Sequence, residues 1–175
     1  MPPCLSDPIQ PRRGGPRRPL AWLGGLLLLV LLLVGSGPAL AAMDYAKQVL
    51  IGADFHGADL REVTFSLTNL REANLSGADL RGASLFGAKL QDADLHDADL
   101  RGATLDSAVF NGTDLRQALL EDAFAFNTRF VDVRIDGADF TNVSLRPDAL
   151  RSLCAVASGH NLSSGRDTRA TLDCP

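Results

Sequence analysis

The sequence predicts an all-β solenoid with short α-helical caps, and three observations predict it. From Phe55 to Leu145 a centre residue, apolar and mostly large, recurs at every fifth position, through nineteen units without a slip of register. Two residues before each centre stands a small residue: thirteen alanines, the threonines Thr68, Thr113 and Thr128, and the valines Val63, Val133 and Val143. Three residues before each centre stands Gly or a polar residue in eighteen of the nineteen units, Leu67 being the exception.

Residues 1–41 have a separate character. Arg12, Arg13, Arg17 and Arg18 lie among prolines and glycines, and Leu20 to Val34 is almost wholly apolar. Gly35 to Pro38 break that run before Ala39-Leu40-Ala41. A basic stretch, an apolar stretch of about 15 residues and an A-x-A site are the parts of a secretory signal in their usual order. Cleavage is expected after Ala41, with Ala42 as the alternative. An uncleaved anchor is the other reading, since Leu20 to Ala41 can span a bilayer with about 20 residues. Either way the basic flank precedes the apolar run and the remainder is sent across the membrane. Any membrane contact is expected through this segment alone, and only if it stays attached.

Without residues 1–41 the chain keeps 13 basic and 20 acidic residues, a net charge of about −7. That balance disfavours nucleic acid phosphates and anionic lipid surfaces as partners. Cys154 and Cys174 also remain, an even pair in an exported chain, which reads as one disulfide. Residues 42–50, with Asp44 ahead of Tyr45 to Leu50, are expected to form an N-terminal cap.

Residues 51–145 carry the repeat. A period of five is neither the 3.6 of a helix nor the 2 of a long strand. Within one unit, however, the small residue and the centre are two apart, so a short extended stretch points both to one face. The residue between them points outward. Gly, Asn and Asp just before the small residue supply the backbone freedom that a corner needs. Each unit is therefore one short side and one corner, and a chain built this way closes coils and stacks them.

These residues resemble the pentapeptide-repeat family, whose pattern is A-(D/N)-L-x-x. Ala58-Asp59-Leu60, Ala73-Asn74-Leu75, Ala78-Asp79-Leu80, Ala93-Asp94-Leu95 and Ala98-Asp99-Leu100 match it letter for letter. The resemblance implies four units per coil and a right-handed quadrilateral β-helix. At about 4.8 Å per coil, nearly five coils make a rod roughly 24 Å long. Residues twenty apart would stack, so Leu60, Leu80, Leu100, Leu120 and Phe140 form one interior column. Burying each such side chain stabilises by about 1.5–3 kcal/mol.

Residues 146–175 are expected to form a helical C-terminal cap holding the disulfide. Leu150, Leu153, Cys154 and Ala157 fall at helical spacing, with Pro147 before them and Gly159 after. Asp167 is placed to start a further helical turn through Leu172. The stretches Leu153 to Gly159 and Gly165 to Arg169, with Cys174, resemble the tail of thylakoid-lumen members of the same family. Met43 to Lys47 and Phe124 to Asn127 resemble that subgroup too. Such proteins occur in cyanobacteria and chloroplasts, and the short signal favours a cyanobacterial source.

Few residues offer a site. Asp59, Asp79 and Asp99 should stack beside Arg61, Arg81 and Arg101 as a solvated charge ladder. His56 and His96 lie two coils apart, roughly 10 Å, too far to share a metal with ligand distances near 2 Å. No catalytic set, cofactor cradle or metal group is recognisable. Phe86, Phe124 and Phe126 are the candidate interaction patch, provided the register holds around the undersized centre Ala125. Otherwise one ring swings inward, or the C-terminal cap folds over them. The function expected is a non-catalytic structural or protein-binding module in the thylakoid lumen or periplasm. The alternative is an acidic, DNA-mimicking inhibitor of gyrase, as some members of the family are, which the export signal opposes.

Overall fold

A five-residue extended unit leaves backbone donors and acceptors on both edges, so it persists only with a neighbour alongside. In the computed structural model, which describes residues 43–175, that neighbour lies twenty positions along the chain. The expected signal segment, its cleavage sites and Cys4 fall outside the described residues. Parallel bridges join Asp44 to Thr64, Val49 to Asn69, Asp54 to Asn74 and Asp59 to Asp79, and the interval repeats as far as Phe124 with Ser144. Twenty residues are four units, so four units complete each turn. Two runs extend into named strands, β1 (Val109–Asn111) and β2 (Arg129–Val131), paired in parallel with Phe110 opposite Phe130.

One unit shows how the backbone is satisfied. Leu80 N–H donates to the Asp99 carbonyl at 2.8 Å, Asp79 N–H to Ala58 at 2.9 Å, and Ala83 N–H closes the corner onto Leu80 at 3.0 Å. The corner residue takes a left-handed backbone, at Gly77, Gly82 and Gly87 but also at Glu62, Leu67 and Asp97. At Gly87 a side chain is excluded for a second reason, because a Cβ there would lie 2.7 Å from Cδ2 of Leu67 in the turn below.

The centres and small residues form a continuous core, with Leu70 to Leu105 and the alanines between them wholly buried. The three threonines at small positions keep their hydroxyls satisfied. Thr68, Thr113 and Thr128 donate to the carbonyls of Tyr45, Leu90 and Leu105 at 2.6, 2.7 and 2.7 Å. Aromatic centres stack on each other where they coincide, as Phe110 does on Phe130 with ring centroids 5.3 Å apart.

Of residues 42–50, expected as a cap, residues 44–50 instead continue the repeat. Tyr45 and Leu50 occupy centre positions and donate to Thr64 and Asn69 at 2.8 Å each. Tyr45 stacks on Phe65 at 5.2 Å, so its ring caps the first column from within the register.

At the other end the period breaks at Pro147, which starts helix α1 (Pro147–Val156) as a residue with no N–H to lose. Its buried face centres on Leu153, with Leu150 and Cys154 packed against the core. A short helix α2 (Thr168–Thr171) follows, with Asp167 at its N-cap position but without a side-chain cap bond. The disulfide Cys154–Cys174 joins α1 to the chain end. The cap also supplies ladder bonds that a further turn would have made. Gly137 N–H donates to the Ser158 carbonyl at 2.8 Å, and Phe140 N–H to Thr171 Oγ1 at 3.1 Å.

Candidate interaction surface

The residues between small position and centre, and those just after the centre, face outward, so each column of the stack presents its own surface. One column set contains a single charged residue, Asp106, over its middle turns, residues 64–67, 84–87, 104–107 and 124–127, with Asp44, Lys47 and Arg146 at its two ends. It carries Phe86, Phe124 and Phe126, which are 43%, 60% and 55% exposed, while Ala125 between the last two is wholly buried. The register therefore holds at Ala125: Phe124 N–H donates to Ala103 at 2.9 Å and its carbonyl accepts from Leu105 at 2.8 Å. Neither an inward swing nor a covering cap hides the rings.

A local change does occur one residue later. Asn127 lacks the left-handed backbone that its counterparts adopt. Its N–H turns back to Oδ1 of Asp106 at 2.8 Å. That bond satisfies the carboxylate within the patch and leaves the rings on either side free to face solvent. Leu67, 51% exposed, extends the patch, because its N–H donates to the Phe86 carbonyl at 2.8 Å and its side chain lies over Gly87. Sequence reasoning recorded Leu67 only as an exception. The signal was present, since it is the one apolar corner and stands twenty residues before a glycine.

The charge ladder lies on a different column. Arg61, Arg81 and Arg101 each bond the Asp two residues before at 2.6 Å, and Arg61 and Arg81 reach the next Asp at 3.7 and 3.6 Å. The hydrogen bond from Arg61 holds the Asp59 carboxyl down at about 2. The same contact from Arg81 lowers Asp79. Exposed pairs of this kind, screened by solvent, contribute little to stability. Asp114 is different: its buried carboxylate meets both Arg116 at 2.7 Å and Arg134 at 3.0 Å.

Among the described residues no three His, Cys, Asp or Glu side chains gather as a metal group. His56 Nδ1 lies 2.9 Å from Ser76 Oγ, and His96 Nε2 lies 3.1 Å from Asp97. Cys154 and Cys174 are joined to each other, far from the aromatic face in sequence and on the cap.

This stack of five-residue units is matched by the family model for pentapeptide repeats, over residues 49–85 and 83–122. The structure resembles that of a pentapeptide repeat protein from the Arabidopsis thaliana thylakoid lumen, with 44% identity and a TM-score of 0.72. That match covers 81% of this chain and 98% of the other. The chain belongs to the pentapeptide-repeat family, and within it resembles the thylakoid-lumen members. A curated relative, thylakoid lumenal 15 kDa protein 1 of Arabidopsis thaliana chloroplasts, is 52% identical over 48 residues, 27% of this chain. The chain matches about a fifth of that relative's length, 21%. A pentapeptide repeat protein from the cyanobacterium Cyanothece 51142 is 29% identical, covering 59% of this chain and 64% of the other, with a TM-score of 0.31.

Proposed function

We propose that this protein is a non-catalytic interaction module, exported to the thylakoid lumen or the periplasm, whose coils form a right-handed quadrilateral β-helix. Its working surface is the weakly charged column set that carries Leu67, Phe86, Phe124 and Phe126. The observation that supports this most is the exposure of three of its eight Phe residues together on that face. Exposed aromatic residues gathered on one face mark sites that another molecule covers, and a stack of coils holds them rigidly, as repeat proteins do for their partners.

Export rests on the character of residues 1–41, and the thylakoid-lumen relatives support that destination. A role as an acidic DNA mimic fits less well, because the Asp column is interleaved with arginines that neutralise it. Affinity capture with the tagged, processed protein tests the reading. Retention of a specific protein from a lumenal or periplasmic fraction is expected. Recovery of gyrase from a cytosolic fraction would instead favour the DNA-mimic alternative.

A further inference from the structure

The C-terminal cap completes the hydrogen bonding of the last turn unevenly, and on the side of β2 it leaves a ledge. At this position in the turns below, the carbonyls of Gln48, Thr68, Ala88 and Ala108 each accept from the turn above, at 2.8 to 3.0 Å. Leu50, Leu70 and Leu90 N–H each donate upward, and so do Gly52, Glu72, Asp92 and Gly112, at 2.8 to 3.0 Å. The equivalent groups of the last turn are the Thr128 carbonyl, Phe130 N–H and Asp132 N–H. None of the three has a hydrogen-bond partner among the described residues. The chain leaves the repeat for helix α1 at this point, and a helix cannot offer its own backbone to a strand edge.

Two hollows lie along this ledge between β2 and α1. One, of about 320 Å³, is lined by the apolar Phe130, Val131, Val133, Leu153 and Val156 together with Asp132 and Ser152. The other, of about 210 Å³, continues past Thr128 toward Asn127, Arg129, Arg146, Asp148 and Ala149 and shares Phe130, Val131 and Ser152 with the first. Arg129 makes no ion pair among the described residues, whereas Arg146 holds Asp148 at 3.2 Å. The groove thus combines an unpaired strand edge, a largely apolar hollow edged by Asp132 and Ser152, and one cation, Arg129, that has no ion pair among the described residues.

We propose that this groove binds an extended peptide running parallel to β2, with an acidic residue above Arg129 and an apolar side chain in the hollow against Phe130, Leu153 and Val156. The three free backbone groups fix the register. The acidic residue would donate its N–H to the Thr128 carbonyl and accept from Phe130 N–H with its own carbonyl. The carbonyl two residues on would accept from Asp132 N–H, as each turn does for the one below. Strand addition at an edge takes its affinity from such main-chain bonds and its selectivity from alternate side chains. The inference rests on the reading of the protein as a binding module, but it uses none of Leu67, Phe86, Phe124 and Phe126.

Two measurements on the oxidised, isotope-labelled protein test it. Hydrogen exchange comes first: the amides of Phe130 and Asp132 should exchange about 100-fold or more faster than those of Phe110 and Gly112 one turn below. Equal protection would mean the edge is already paired, and the proposal would be wrong. Amide shifts on adding the peptide acetyl-Ser-Glu-Val-Thr-Ser-amide come second. Saturable shifts confined to residues 127–133 and 146–156 are expected. N-methylation at its Glu, or Arg129→Glu in the protein, should weaken binding about tenfold. A Lys-containing peptide should recover binding to the Arg129→Glu protein. No saturable shift at millimolar peptide, or shifts unaffected by both changes, would overturn the proposal. Shifts at the groove that grow with protein concentration alone would assign it to a second copy of the chain and overturn it equally. The Phe86→Ser, Phe126→Ser double variant should bind the peptide as the parent does, which keeps this outcome separate from failure of the aromatic face.

Discussion

Arg166, in the tail, holds Nη1 3.2 Å from Oδ2 of Asp139, a carboxylate wholly buried in the last turn. The same nitrogen lies 3.1 Å from Glu121 Oε1 and from Thr141 Oγ1. The cap is thus fastened to the coils by charge as well as by the packing of Leu153 and Leu172. Burial pushes the Asp139 carboxyl up, but the neighbouring Ser164 and Thr141 hydroxyls, with Arg166, more than offset this and hold it below the usual range.

The sign of the pH dependence follows. Because its folded value is depressed, Asp139 contributes stability that is complete above the ordinary carboxylate value, about 3.9. That contribution is lost as pH falls through the lower folded value. Arg166→Gln should cost about 1–3 kcal/mol at neutral pH, and acid unfolding should then begin at higher pH. Thermal melts across pH 2–7 check both. Superimposable curves for the two proteins would show that the contact carries no weight.

The disulfide should matter through the chain it closes. Cys154 and Cys174 are separated by 20 positions, and closing a loop of that length contributes roughly 3 kcal/mol. Thiol counting on the unreduced, denatured protein should find neither cysteine free, and reduction should lower the melting temperature. Two reactive thiols would contradict the pairing.

Inside and outside should respond differently within two adjacent residues. Ala98 is wholly buried among leucine centres, whereas Asp97 is an exposed corner with φ of 60°. Ala98→Leu should overpack the turn and cost about 1–3 kcal/mol. Asp97→Gly should stay within about ±0.5 kcal/mol, since glycine accepts that backbone without strain. Denaturant melts with equal losses would mean the inward assignment is wrong.

Much of this was legible in the residues because the repeat is local. Each unit carries its own centre, small residue and corner, so a period of five assigns inward and outward faces before any neighbour is known. Phe124 and Phe126 are outward by that rule, and the buried Ala125 shows why it holds: the Phe124 ladder bonds keep the strand in place whatever the size of the centre. Tyr45 and Leu50 are in register too, but the residues two before them, Met43 and Gln48, are not small, so these units lack the pattern of the rest. Contacts between the tail and the coils were not legible. Arg166 meets Asp139 across 27 positions, and nothing periodic relates them. The free ledge at Phe130 likewise depends on where α1 lies, which its own amphipathic pattern leaves undetermined.

The surface role of the aromatic face is tested most directly by comparing three proteins in quantitative capture from a lumenal or periplasmic fraction. They are the parent, the double variant Phe86→Ser with Phe126→Ser, and Arg81→Gln on the charge ladder as a control. Because both rings stand in solvent, the double variant should melt within about 1 kcal/mol of the parent; burial of either ring would instead cost about 3 kcal/mol or more. The parent and the Arg81→Gln control should retain the same specific partner, and the double variant should lose it. A stably folded double variant that captures every partner the parent does would contradict the assignment of this face as the binding surface.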